Sequence, residues 1–406
     1  MNVLIIGNGF DIAHGLETSY PNILDFFDMV QSSFVTYNKN SLYRMNKLQN
    51  YKASKFVKKY VETFFSSAKT DDNKEIVNSN LLIQEMHQEL TDNIWYTYLN
   101  ELYKEKKIRG INWIDFEREI SGIIETIDRE QENLYMPFEV NRSFEDEKMN
   151  IFISQLRSII YQDTTNLNIS TYAGFLNKTY DDLNRLIRCI EIYLEECIDK
   201  QEVCLYSQDM VQIQVDKVLC FNYTHTYENI YSNDKKEMIH YLHGEAKGNG
   251  EVPSNMVLGI DEYYKGQDKD IHTNYNIYKK FTQRIIKETG FQYRDWLVQM
   301  DGDGMAWSNW NKFVQYGEKL PNNVYIFGHS LDITDKDVIK EFIDRDDAKI
   351  TVFYHNKQQQ TQQIANLVKI LGQEKFISMI NQVPQRICFV LQQEMIKNVN
   401  KDKNME

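Results

Sequence analysis

No stretch of this 406-residue chain approaches the roughly 18 consecutive apolar residues of a membrane-spanning helix, and the apolar run after Asn2 stops at Gly7, too short for a signal-peptide core. We expect a cytoplasmic protein that does not enter membranes. Proline is scarce, at 5 residues, and glycine reaches only 17 against 13% aromatic residues, which argues against disorder and long flexible linkers. The five cysteines (Cys189, Cys197, Cys204, Cys220, Cys388) are odd in number, unevenly scattered and without a CxxC pair matched to histidines, which excludes a disulfide framework and a structural zinc module. Positive charge is in deficit, with 46 Lys and Arg against 59 Asp and Glu and a net charge of -13. A field of that sign repels phosphate backbones and anionic membrane surfaces, so nucleic acid is a poor partner. No His/Cys/Asp cluster has metal-ligand spacing, no G-x-x-x-x-G-K-[ST] loop occurs and no fixed period repeats, so no metal is expected.

The chain is long enough for two domains, or for one domain with a large insertion. Short apolar runs ending in polar or glycine turns recur in two places: "NVLIIG" at 2–7, then "DKVLCFNYT", "IHYLHG", "MVLGI", "NNVYIFGHS" and "KITVFYHN" between 216 and 356. They are nearly continuous rather than alternating, as in parallel strands covered on both faces. Helical patterns lie between them. Ser19 reads as an N-cap before Pro21, with Tyr20, Ile23, Leu24, Phe27 and Val30 at helical spacing, and Thr334 with Asp337 resembles a capping box ahead of Val338, Ile339, Phe342 and Ile343. Strand, polar turn and helix repeat, which predicts an α/β fold with a doubly wound, mostly parallel, Rossmann-like sheet. From about 31 to 210 the period is helical, through Leu82, Met86, Leu90 and Ile94 and again through Leu183, Leu186, Ile187, Ile190, Leu194 and Cys197. The expected organisation is an α/β domain from 1–30 and 211–370, a helical insertion over 31–210, and a C-terminal helical segment and tail over 371–406. A smaller insertion, about 262–317, carries "YKKFTQRIIKETG" with Trp296, Trp307 and Trp310.

In open α/β sheets the ligand crevice lies beyond the carboxyl ends of the strands. The turns there are Gly7-Asn8-Gly9-Phe10-Asp11, Phe221-Asn222-Tyr223-Thr224-His225, His243-Gly244-Glu245, Asp261, Gly328-His329-Ser330 and His355-Asn356. Gly7-Asn8-Gly9 allows close approach of a pyrophosphate to backbone and helix N-terminus, although Ile12 stands where a full G-x-G-x-x-G would have glycine. Read blandly, it is a tight strand-to-helix turn, and Asp11 and His14 either hold that turn or reach a ligand. Asn222 and His243, 21 residues apart at successive strand ends, pair an amide suited to sugar hydroxyls with an imidazole able to accept a proton.

Gly328-His329-Ser330-Leu331-Asp332 invites comparison with the G-x-S-x-G nucleophile elbow, but Asp332 occupies the last glycine position, which disfavours a serine hydrolase. A small Gly and Ser at a strand end suit a nucleotide ribose or phosphate. "NWIDFEREI" at 112–120 reads as an amphipathic helix with Trp113, Phe116 and Ile120 inward and a solvated acidic side; Lys279, Lys280, Arg284 and Lys287 read as a solvated basic patch or a lid over an anion.

"VLIIGNGFDIAHGL", "NWIDFE", "FNYTHTYENIY", "YLHG", "LGIDE" and "IFGHSLDITDKDVI", in this order over about residues 2–370, closely resemble the AbiH family of bacteriophage abortive-infection proteins. The sheet motifs are more distantly similar to SIR2-like NAD-binding domains. That second resemblance implies phosphate contacts at Gly7, Asn8 and Gly9, with Asp11 and Thr224 beside them, a nicotinamide ribose held by Asn222, and His243 as general base. It also implies an adenosine end near Gly328, His329 and Ser330, and an adenine near Asn356. Thr224 replaces the acid of the SIR2-like "NxD" motif, and the sirtuin zinc module is missing, which disfavours protein deacylation.

The resemblance thus implies an anti-phage protein that binds NAD and hydrolyses it to nicotinamide and ADP-ribose, with a dinucleotide as small-molecule partner, a phage-derived trigger and a homo-oligomer among the options. The alternative is a non-catalytic nucleotide-sensing module of a defence system. Thr224 favours the sensor; Asn222 and His243 favour the enzyme. A nuclease is disfavoured by the acidic charge.

Overall fold

The computed structural model describes residues 1–35, 57, 81–129, 146–162, 172–232, 239–247, 254–264, 268–271, 273–301 and 322–397. The chain divides into two compact units, one built from Met1–Leu16, Glu202–Glu245 and Lys287–Glu406, the other from Glu17–Gln201 and Ala246–Ile286.

In the first unit the apolar runs form strands β1 (Asn2–Ile6), β2 (Leu205–Ser207), β3 (Lys217–Cys220), β4 (Ile239–Tyr241), β5 (Asn322–Phe327), β6 (Ala348–Tyr354), β7 (Ile387–Leu391) and β8 (Met395–Lys397). Six of them make one sheet in the order β4-β3-β1-β5-β6-β7, every pair parallel, while β2 and β8 pair antiparallel apart from it. Counted within the large sheet the winding is 3-2-1-4-5-6, that of dinucleotide-binding sheets, and it reverses between β1 and β5.

Both faces of this sheet are covered, which is why its strands read as unbroken apolar runs. Val3, Ile5, Leu219, Val324, Ile326 and Ile350 pack on one face with Val338 and Phe342 from helix Lys336–Ile343, Leu367 and Ile370 from helix Lys357–Leu371, and Trp296 from helix Gln292–Asp301. On the other, Leu4, Ile6, Val218, Cys220 and Phe327 meet Phe10, Met210 and Tyr227. Full burial of one such Leu, Ile, Val or Phe side chain is worth about 1.5–3 kcal/mol. The doubly wound sheet expected from the sequence is therefore present.

Several local expectations need correction. The segment 371–406 is not only helix and tail: after helix Gln373–Asn381, Ile387 to Leu391 add the edge strand β7, paired with β6. "MVLGI" forms no strand; Ile260 makes one isolated bridge to Lys279, and Gly259 lies so close to the Tyr278 carbonyl that any Cβ would fall 2.7 Å from it. Thr334 does not cap a helix. Asp332 does so instead, its carboxylate accepting from Thr334 N at 3.2 Å to open the short 3-10 turn Ile333–Asp335 before helix Lys336–Ile343. Trp296 is buried core, whereas Trp307 and Trp310 lie outside the described residues.

The second unit is helical, with helices Tyr20–Val35, Leu81–Leu90, Ile94–Ile108, Phe116–Arg129, Glu147–Gln162 and Tyr172–Tyr193, the last continuing as one π-helical turn, Leu194–Asp199. Ser19 Oγ accepts from Asn22 N at the start of the first of these helices. That helix belongs to this unit rather than to the first strand–helix pair, because Tyr20 stacks on Phe116 and Phe26 and Phe27 pack on Tyr193 and Tyr96. The helical run through Leu90 and Ile94 breaks at Asp92 (φ 54°), and Asn93 caps the next helix by accepting from Tyr96 N at 3.1 Å.

The "NWIDFE" helix begins at Phe116, leaving Trp113 half exposed. Its acidic side is not fully solvated: Glu119 is buried between Lys106 (2.7 Å) and Lys148. Nor is the basic patch a solvated face. Lys279, Lys280 and Arg284 are all buried, Lys279 against Glu262 at 2.6 Å and Lys280 against Glu117 at 2.8 Å. Burying a charge without an opposite partner is costly, so each lysine is retained with its glutamate.

Candidate functional site

Register fixes what converges beyond the sheet. Ile6 stands level with Cys220 on one side and Phe327 on the other, and Cys220 with Tyr241. The chain therefore leaves these strands at one edge through Gly7, Phe221, Leu242 and Gly328. The reversal of winding lies between β1 and β5, the position where such sheets bind ligands.

The turns after β1 and β5 are welded together. Gly9 N donates to Gly328 O at 2.8 Å, Phe10 N to Gly7 O at 2.8 Å and Gly7 N to Phe327 O at 3.3 Å. A Cβ on Gly9 would lie 2.7 Å from the Gly328 carbonyl oxygen, and Gly328 itself sits at φ +70° with Phe10 N against the space where its Cβ would stand. These glycines thus let two backbones touch, and three of the turn's N–H groups are taken up inside the protein. Asn8 on one turn and Ser330 on the other are exposed. Ser330 Oγ accepts from Asp332 N at 3.3 Å.

Asn222, buried, donates its amide to Gly7 O at 3.1 Å and so joins the turn after β3 to the turn after β1. Thr224 donates to Asp11 Oδ2 at 2.6 Å and accepts from Thr226 Oγ1 at 3.2 Å. A carboxylate therefore does stand behind this turn, contributed by Asp11 from helix Asn8–Ala13. His14, the C-cap residue of that helix, is structural: one ring nitrogen faces Phe10 O and the other Tyr231 OH, both at 2.7 Å, and burial pushes its pKa down to about 4.

His243 and His329, only 4% and 3% exposed, come from turns after β4 and β5 and face one carboxylate: His243 Nε2 lies 3.5 Å from Asp335 Oδ1 and His329 Nε2 3.5 Å from Asp335 Oδ2. Phe221 packs edge-on against both imidazoles, with centroids 5.3 and 4.3 Å away. Nearer the surface, His225 Nε2 and Glu245 Oε2 meet at 3.0 Å, tying the turn after β3 to the turn after β4. Asn356 caps helix Lys357–Leu371, accepting from Gln359 N at 2.8 Å. Among the described residues no group of three or more His, Cys, Asp or Glu side chains is arranged to hold a metal ion, and no helix is long and apolar enough to cross a membrane.

The family model described as bacteriophage abortive infection AbiH matches residues 3–355, which takes in all of these turns. The chain belongs to the AbiH family. An AbiH protein is one of bacteriophage abortive infection, so the role of this chain is defence against phage. No curated protein and no solved structure matches this AbiH chain.

Of the residues singled out in the AbiH sequence, Gly7, Gly9, Asn222 and Gly328 are joined by hydrogen bonds, Asp11 and Thr224 form a second pair, and His243 and His329 share a carboxylate. That carboxylate, Asp335, is the residue that sequence reasoning passed over. An acidic residue in the first turn of a helix reads as a surface dipole partner, and nothing in its spacing shows that Asp335 is buried. The one available signal is its place seven residues after Gly328, in the turn that also carries His329.

Proposed function

We propose that this protein defends against phage by hydrolysing NAD, with water and NAD converted to nicotinamide, ADP-ribose and a proton. The observation that carries the reading is the approach of His243 to Asp335, 3.5 Å apart, among the same strand-end turns that hold Asn222, in a 3-2-1-4-5-6 parallel sheet. Cleaving the nicotinamide–ribose bond builds positive charge on the sugar while the leaving group departs neutral, so little acid catalysis is required. His243 takes the proton from the attacking water or a ribose hydroxyl, and Asn222 orients the sugar through its amide oxygen, its nitrogen being held by Gly7 O. A general base of this kind contributes about 10²- to 10⁴-fold.

The residues fit a bound dinucleotide unevenly. The sugar end has an amide and an imidazole, whereas the turn after β1 has spent the N–H groups of Gly7, Gly9 and Phe10 internally. Phosphate contacts then fall to the exposed Asn8 and Ser330. This favours a second reading, a module that binds a nucleotide loosely as a signal and does not cleave it.

Incubating the purified protein with NAD, with and without phage lysate, and following nicotinamide by chromatography separates the two. Release by wild type and not by His243→Ala or Asn222→Ala supports hydrolysis. Saturable NAD binding by calorimetry without release under any condition supports the sensor, and neither release nor binding removes both.

A further inference from the structure

Helix Lys357–Leu371 carries amides at Gln359, Gln363 and Asn366, spaced i, i+4, i+7 and therefore on one face, where a packed helix would normally carry an apolar stripe. All three reach the ends of β5 and β6. Gln359 Oε1 accepts from His355 N at 2.7 Å. Gln363, fully buried, donates its amide nitrogen to His329 O and to Phe353 O, both at 3.2 Å, and so spans the two strand ends. Asn366, also buried, donates to Ser330 O at 3.0 Å. Carbonyl oxygens only accept, so the nitrogen of each of these last two amides must be the atom that faces them.

The turn that these amides grip has an unfavourable backbone of its own. Gly328 (φ 70°) and Leu331 (φ 57°) both stand in the left-handed region, and for the buried leucine that conformation is strained. Inside the turn, Leu331 N donates to His329 Nδ1 at 2.9 Å. Gln363 also keeps its amide oxygen buried without a hydrogen-bond partner among the described residues, which weakens the fold. An apolar side chain would fill that space more favourably, so the glutamine is present for what its nitrogen holds.

We infer that Gln363 and Asn366 are positioning residues that set the turn after β5, and with it Ser330, for ligand binding. Both lie beyond residues 3–355, the part that the AbiH model matches. Ser330, exposed, accepts from Asp332 N through its hydroxyl oxygen, which leaves the hydroxyl hydrogen to donate to a ligand oxygen. That this ligand is NAD rests on the functional reading above; that two amides fix the turn does not.

The test is hydrogen exchange, with NAD binding and turnover in parallel, on the full chain carrying Gln363→Met, Asn366→Leu or, as a control, Ile370→Val, which trims the apolar core on the same helix. Measured against the Ile5 amide in central strand β1, Leu331 N–H should exchange about 5- to 10-fold faster in each amide variant, the worth of one hydrogen bond, and at the wild-type ratio in the control. In the amide variants NAD should show a Kd, or a KM where nicotinamide is released, raised about 3- to 10-fold, as for one lost ligand hydrogen bond, with kcat within about 2-fold. Leu331 exchange that changes only in step with Ile5 makes the amides ordinary core and overturns the inference; so does a loosened turn with unchanged NAD affinity. If wild type neither binds nor cleaves NAD, the functional reading fails, and the ratio of Leu331 to Ile5 exchange still decides whether the amides set the turn. Should Gln363→Met fail to fold, Asn366→Leu carries both readouts.

Discussion

The histidine at position 14 makes the stability of the α/β unit depend on pH in a calculable way. Its two ring nitrogens are engaged by Phe10 O and Tyr231 OH. The Tyr231 hydroxyl already accepts from Ser207 N at 2.7 Å, so it donates to His14, and His14 in turn donates to Phe10: a complete network for a neutral ring. Burial lowers its pKa from 6.5 to about 4, so in the window between those values the unfolded chain binds a proton that the folded protein refuses. Stability from neutral His14 is fully present above pH 6.5 and is lost progressively as pH falls towards 4. At about 1.4 kcal/mol per pH unit the whole loss is about 3 kcal/mol, of which about 2 has gone by pH 5. His14→Gln removes the titration. Urea unfolding from pH 7.5 to 5, read on the peptide containing β1 by pulsed hydrogen exchange, should show the stability gap between wild type and variant closing by about 2 kcal/mol. Parallel profiles for the two proteins would refute the burial argument.

Other expectations follow from the same contacts. Gly328→Ala should lower stability by about 3 kcal/mol or more, since the left-handed backbone alone costs about 1–2 kcal/mol and the added Cβ drives the turns after β1 and β5 apart; a thermal shift under 1 °C would show that the weld between them is unimportant. Glu117→Gln leaves Lys280 buried without its carboxylate and should cost about 3–5 kcal/mol, whereas the joint change Glu117→Leu with Lys280→Met should recover most of it, measured by urea unfolding of the helical unit.

The fold was legible because parallel strands covered on both faces leave a strong trace: "NVLII" and "VYIF" admit little else. β7 is hidden because "ICFVL" follows a long helical stretch, and "MVLGI" looks like a strand because a buried extended segment has the composition of a strand with or without a partner. For the site, strand-end position was enough to single out Asn222, His243 and His329. Burial of individual charges was not readable: a lysine followed by a lysine at 279–280 looks solvated, and Asp335 looks like a helix-opening surface acid, until their opposite partners arrive from distant parts of the chain.

The central position of β1 has a consequence for the order of events during synthesis. It is the first strand made, yet its two neighbours begin at Lys217 and Asn322, and Asp335 comes later still. At roughly 5–20 residues per second, β1 waits about 15–60 seconds before both flanks exist. Through that interval the nascent chain holds Gly7 and Gly9 with nothing for them to be welded to. The turns beyond the sheet therefore come together only late in synthesis, and a chain that terminates before residue 329 lacks both His329 and the Asp335 carboxylate that it faces.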